Sequence, residues 1–328
     1  MSHTTIPRPV EGSADRSDRQ RAGKTSLWWA MTIEPEEKGS CDGWVKHVVA
    51  PLSAQARNWG ASRAGFSRSE DENSPSLNMN VAAPADVVDR VWDLANALAL
   101  RSGPTLGSVK LAQTQTKAFT PPWAGPVPRQ LEPLVAKYGG IQGMELAGEI
   151  AEVSSDLAIW AVGRFPGSNM RSPLAALLLF DTCHSMMRGP RSAVWADRRT
   201  VSWTYYWDTH LRSCTASYGL RSEHARQMLK DQLAPRIVPA HRIMAALASE
   251  PSVDVWRKRW VRAIDQYLYG AYKARVSRSA LQMTMTQGRH LLNRLGISVR
   301  DEAALGLYAR AWSKELEDDL ARKDAPRQ

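Results

Sequence analysis

Thr120-Pro121-Pro122-Trp123-Ala124-Gly125-Pro126-Val127-Pro128 divides this chain into two parts with different hydrophobic periods. Successive prolines fix φ and remove backbone donors, so neither a helix nor a central strand can run through such a stretch. Before it, apolar residues alternate in short runs or recur every four residues. After it, the spacing is three and four almost to the end. The chain therefore reads as a mixed part followed by a helical one.

In the first part, residues 26–33 read as a strand and residues 43–59 as a helix, with Trp44, Val48, Leu52 and Ala56 spaced by four. Residues 65–70 and 77–82 read as two short strands, the second alternating Leu77, Met79 and Val81 with Asn78 and Asn80. A helix over residues 84–101, carrying Val87, Val91, Leu94 and Leu98 on one stripe, and a strand over residues 107–119 complete the order β-α-β-β-α-β. That order is the ferredoxin-like split unit, an antiparallel sheet with two helices on one face. Its edge strands can accept an extended peptide, or be covered by the helical part.

Helices are expected over residues 142–164, 172–188, 201–217, 222–247, 253–274, 279–295 and 301–320, with breaks at Pro166, Gly189-Pro190, Gly219, Pro251 and Gly296. The expected fold class is α+β, a ferredoxin-like N-terminal unit packed against a C-terminal bundle of six or seven helices. Residues 1–25 are polar enough to form a disordered tail. The α+β subdomain then spans residues 26–120, the Pro-rich connector and its Tyr-Gly-Gly turn 121–140, and the helical subdomain 141–320, with a flexible tail over 321–328.

With 328 residues, 43% of them hydrophobic, the chain can bury a large core. The most apolar stretch, residues 172–187, is interrupted by Asp181 and His184, so no membrane span is expected, and the polar start lacks a secretory pattern. Three scattered cysteines, Cys41, Cys183 and Cys214, give neither a disulfide framework nor metal-ligand spacing, in keeping with a cytoplasmic protein. The net charge of +10 favours an acidic partner. Basic residues are spread through helices, as in Trp256-Arg257-Lys258-Arg259-Trp260, without a compact nucleic-acid motif, so an acidic peptide is the better match than nucleic acid. P-loop, GxGxxG, HExxH and GxSxG patterns are all absent.

Two stretches concentrate chemistry. In Arg289-His290-Leu291-Leu292-Asn293-Arg294-Leu295-Gly296, four hydrogen-bonding side chains fall within two helical turns; Gly296 then stops the helix, and Ser298 with Asp301 and Glu302 starts another. In Lys137-Tyr138-Gly139-Gly140, a glycine turn opens a helix. Together they resemble the C-terminal domain of class I lantibiotic dehydratases and its stand-alone relatives in thiopeptide biosynthesis, over about residues 26–316. Dehydratases of this family eliminate glutamate from a glutamylated Ser or Thr, using arginines in an Arg-Tyr-Gly-Gly turn and a His-Leu-Arg-x-Arg strand. Here those places read Lys137-Tyr138-Gly139-Gly140 and Leu77-Asn78-Met79-Asn80. A lysine lacks the planar fork, and asparagine carries no charge.

The resemblance thus implies the other branch, the pyridine synthases. These join two dehydroalanines of one peptide in a formal [4+2] aza-cycloaddition and expel water and the leader peptide. The implied partner is a ribosomal precursor peptide with an acidic leader and a dehydrated, azole-containing core; other biosynthetic enzymes or a second copy of the chain are further candidates. No cofactor or metal is implied. A glutamate-eliminating lyase of a split dehydratase and a non-catalytic peptide-binding partner remain the alternatives.

Candidate catalytic residues are His290, Ser279, Tyr138 and Asp181. His290 would transfer protons, tuned by Arg289 or Glu302, or else be a structural histidine. Ser279 could bond a peptide amide or merely cap its helix. Tyr138 could place a phenol in the site, and Asp181 could face His184 three residues on. Candidate substrate-binding residues are Arg289, Asn293, Arg294, Gln287 and Lys137. Tyr205 and Trp207, with Trp203 and Tyr206, make an aromatic patch suited either to azole stacking or to helix packing.

Overall fold

A computed structural model of the chain describes residues 27–36, 41–69, 71, 74–114, 127, 129–192, 201–313 and 315–317. The expected tails over 1–25 and 321–328, and most of the Pro-rich stretch, lie outside the described residues.

Four strands, β1 (Leu27–Pro35), β2 (Arg63–Arg68), β3 (Leu77–Ala83) and β4 (Val109–Thr114), form one sheet in the order β2-β3-β1-β4. Every neighbouring pair is antiparallel. The register sets Met31 opposite Met79 and Ile33 opposite Leu77, with Phe66 opposite Met79 from the other side. The period-two pattern thereby lines one face with buried side chains and leaves Thr32, Asn78, Asn80, Gly65 and Ser67 half-buried on the opposite face. Thr32 Oγ1 donates to Asn78 Oδ1 at 3.0 Å on that second face.

The buried face is covered by α1 (Asp42–Trp44), a π turn (Val45–Val49), α2 (Ala50–Asn58) and α3 (Ala85–Leu106), whose Val48, Leu52, Val87 and Val91 join the sheet residues in one core. Pro51 lacks an N–H for the helical ladder, which accounts for the widened turn before it. The helix expected to end at residue 101 runs on to Leu106 through Pro104. Its last turn is held by packing: a Cβ on Gly43 would lie 2.6 Å from Leu106 Cδ2.

The remaining described residues are helical. Glu132–Lys137 forms a short helix, α4, where only connector was expected. Then come α5 (Ile141–Arg164), α6 (Ser168–Arg188), α7 (Trp203–Thr215), α8 (Ser222–Leu233), α9 (Ile237–Ala248), α10 (Pro251–Lys273), α11 (Ala280–Arg294) and α12 (Val299–Arg310). The single helix expected over 222–247 is interrupted by a 3₁₀ turn at Ala234–Arg236, because Pro235 cannot donate to the ladder. Helix α6 is the central one, with every residue from Leu174 to Cys183 buried. Its Asp181 accepts two bonds from Arg257 of α10, at 2.7 and 2.9 Å, and Arg257 also bonds Glu317 at 2.8 Å. Asp181 is thereby paired with Arg257 of the neighbouring helix, and the His184 ring stacks on Phe180. No helix among the described residues is long and apolar enough to cross a membrane.

Candidate functional site

The two chemistry-bearing stretches meet. After α4, Gly139 and Gly140 adopt φ of +75° and +119°, which only glycine takes without strain. The turn sits tightly on the loop entering α11: a Cβ on Gly139 would lie 2.7 Å from Arg278 Cγ, and Ser277 N–H donates to the Gly139 carbonyl at 3.1 Å. Arg278 closes the end of α4 by donating to the carbonyls of Ala136 and Lys137. The result sets the Tyr138 and His290 rings 6.4 Å apart.

These rings border a cavity of about 460 Å³. One wall is strand β2, from Arg63 to Ser67; the next is the face of α5 from Met144 to Glu152; the third is His290, Asn293 and Arg294 of α11; Trp28 and Asn80 reach it from the half-buried sheet face. Arg294 is 7% exposed. Its Nε donates to the Phe66 carbonyl at 2.6 Å and its Nη1 to the His290 carbonyl at 3.0 Å, while Nη2 bonds no described residue. Burial brings the guanidinium down to about 10.

Asn293 acts on the strand beside it. Its Oδ1 accepts from the Arg68 N–H at 2.9 Å and its Nδ2 donates to the Arg68 carbonyl at 3.0 Å, in the manner of a neighbouring strand. Phe66 N–H donates to Ser155 Oγ at 3.0 Å, and Arg57 Nη2 donates to the Ala64 carbonyl at 3.2 Å. The outer edge of β2 is thus closed by side chains. Among the described strands, β4 is left as the edge with one neighbour.

Burial is also the main influence on His290, helped by the cations Arg294, Lys137 and Arg289; together they push the imidazole down to about 3. It is neutral at physiological pH. The Tyr138 phenol is raised by burial, against the pull of Arg294, so it stays protonated. Of the two groups expected to tune His290, Arg289 acts through its charge, and Glu302 is not among the influences on it. Arg289 Nε donates to Glu302 Oε2 at 3.3 Å and its Nη2 reaches Ser213 Oγ at 3.2 Å and Cys214 Sγ at 3.6 Å, away from the cavity. Glu302 Oε1 lies 3.1 Å from His210 Nε2.

His210, Cys214 and Glu302 are the one described trio with donor atoms close enough to share a metal ion. The Arg289 guanidinium already supplies the positive charge beside two of those donors, and the thiol, pushed up to about 12 chiefly by burial, is held as S–H. The trio is a closed hydrogen-bonded cluster joining α7 to α12.

Several expected residues lie outside the cavity lining. Ser279 caps α11, accepting from Gln282 N–H at 3.2 Å. Gln287 is buried and its Nε2 donates to Tyr267 Oη at 3.4 Å. Asp181 belongs to the Arg257 pair. Trp207 packs edge-on against Trp203, Tyr206 and His210, and Tyr205 points outward from α7. Lys137 is exposed, its Nζ 5.7 Å from the Tyr138 ring centre.

The sequence reading missed the carboxylates. Glu145, Glu149 and Glu152 share one face of α5 and line the cavity, a grouping that their spacing of four and three could have disclosed. Glu149 pairs with Arg63 at 3.1 Å and Glu152 with Arg57 at 3.2 Å. Three carboxylates thus face Arg63 and Arg294 across the lining.

Residues 28–312 match the family described as lantibiotic biosynthesis dehydratase, C-terminal. Among solved structures, the chain resembles the pyridine synthase TbtD from thiomuracin biosynthesis, with a TM-score of 0.57 and 16% identity over 90% of this chain and 99% of that one. TsrL aligns with a TM-score of 0.56 and 16% identity over 93% of this chain and 100% of its own. The tRNA-dependent lantibiotic dehydratase MibB from Microbispora sp. 107891 aligns at 0.57 and 14% identity, covering 98% of this chain but 29% of MibB. At such identities the likeness is one of fold. No curated protein sequence matches.

Proposed function

The chain belongs to the family of lantibiotic dehydratase C-terminal domains, and from that premise we propose that it is a thiopeptide pyridine synthase. In this reading it joins two dehydroalanines of one precursor peptide in a formal [4+2] aza-cycloaddition and releases water and the leader peptide. The observation that carries the proposal is the charge of the cavity. Glutamate elimination must hold an extra carboxylate, yet the lining presents three carboxylates, and Arg63 is already paired with one of them. Asn80 lines the cavity at a strand position where the family resemblance would set an arginine for elimination. Among the described lining residues, Arg294 Nη2 favours the lyase, and a single guanidinium N–H against that wall is weak anion capture.

A neutral reaction suits the same groups. Tyr138, His290 and Arg294 are hydrogen-bond donors around one space, able to hold an amide oxygen while the amide becomes an iminol, and the enclosure would keep two distant residues of a flexible peptide together. His290 in this setting is a neutral hydrogen-bonding group. Element and strand order fit a ferredoxin-like unit, and we place the acidic leader along β4, since β2 is sealed. The net charge of +10 would draw it in.

The deciding experiment incubates the protein with a synthetic leader-bearing peptide containing two dehydroalanines and follows mass and absorbance. Leader release with a new pyridine chromophore is expected. Glutamate released from a glutamylated peptide would instead establish the lyase, and peptide that binds unchanged would leave a non-catalytic partner.

A further inference from the structure

We infer that Glu145 is the proton carrier of this cavity; the inference rests on the pyridine-forming reading above. Of the three carboxylates on the cavity face of α5, Glu149 and Glu152 are committed to Arg63 and Arg57. Glu145 is exposed and has no side-chain partner among the described residues. It stands in the second turn of α5, five residues after Gly140, so it belongs to the end of the cavity that the Tyr138 and His290 rings border.

The other candidates are unsuited to the task. The groups lining this end are Tyr138 before the glycine turn, His290 and Arg294 from α11, Arg63 from β2 and Glu149 on the same helix, while Lys137 at the end of α4 lies outside the lining, over the Tyr138 ring. The imidazole at about 3 is too weak a base, the phenol is raised away from neutrality, and the guanidiniums carry no lone pair to offer.

The chemistry needs a base that becomes an acid. To make the iminol, the Glu145 carboxylate takes the amide N–H proton and returns it to the amide oxygen, with no net gain. After cyclisation and loss of water, a ring CH₂ beside the leader-bearing carbon gives its proton to Glu145. The bond from that carbon to the leader nitrogen breaks with its electron pair on nitrogen, the ring gains its last double bond, and the carboxylic acid protonates the nitrogen. The leader leaves as a carboxamide and the carboxylate is restored; no oxidant is consumed.

Glu145→Gln and Glu145→Asp are compared with the wild type on the peptide containing two dehydroalanines, with binding read by polarisation of a fluorescein-labelled peptide. Glu145→Gln is expected to bind within about twofold of wild type, and to turn over about 10²- to 10⁴-fold more slowly. A cyclised, dehydrated intermediate that still carries the leader should accumulate, and Glu145→Asp should regain at least about tenfold of the lost rate. Glu145→Gln turning over within about threefold of wild type would overturn the assignment and leave the pyridine reading standing. A wild-type protein that binds but never converts the peptide would remove both.

Discussion

His290 illustrates what burial does to a histidine that sequence alone places in an active role. Its ring is enclosed beside Arg294, Lys137 and Arg289, so protonation is disfavoured until about pH 3. In the unfolded chain the same imidazole binds a proton near pH 6.5. Between those values the unfolded state holds the extra proton, so this residue makes stability fall as pH drops through that window. The urea midpoint should therefore decline from pH 7 towards pH 4, and His290→Asn should flatten part of that decline; equal slopes for both proteins would refute the assignment. Its functional side is separate. His290→Ala should lower turnover by about 10²-fold while peptide affinity changes little, and an unchanged rate would remove it from the chemistry. Residue types were readable in the sequence here, but their partners were not. Tyr138 and His290 were singled out and do meet, whereas Glu302 faces His210 because α7 and α12 pack side by side, a contact no local spacing announces.

Helices and strands were the most legible level, since alternation in 77–82 and four-residue spacing in 43–59 and 84–101 correspond directly to faces that end up buried. The misreadings both involve proline: Pro104 lies in a last turn packed on Gly43 and is carried within its helix, whereas Pro235 lies in the 3₁₀ turn that separates α8 from α9. Asn293 is the least legible element contact. It was expected to bind substrate; it lines the cavity, and its amide also completes the hydrogen bonding of β2 across 225 residues of sequence. Asn293→Ala would leave the Arg68 N–H and carbonyl without these partners, at a cost of about 1–3 kcal/mol. Hydrogen exchange should show it as lost protection confined to β2; protection unchanged there would contradict the edge-sealing role.

At the scale of the whole molecule, one buried ion network ties the sheet to the helices. Asp42 accepts from Arg68 at 2.7 Å and from Arg171 at 2.8 Å, and the same two arginines donate to the carbonyls of Arg294 and Leu295 at the end of α11. Asp42→Asn would leave two enclosed cations facing each other and should cost about 3–5 kcal/mol, visible as a lower denaturation midpoint. Arg68 and Arg171 gave no sign of this in the sequence, because their common partner lies upstream of both in chain order but central to both in space.

The sealed strand has one more consequence. If a peptide can enter the sheet only along β4, the width of the sheet becomes a ruler, for the β2 wall of the cavity lies on its far side, with Trp28 and Asn80 reaching the cavity from the strands between. Three inter-strand steps make about 14 Å, which takes four to five extended residues to cross. Precursors trimmed below that spacer between docking segment and first dehydroalanine should still be captured yet go unconverted, and conversion at normal speed would mean the chain arrives by another route.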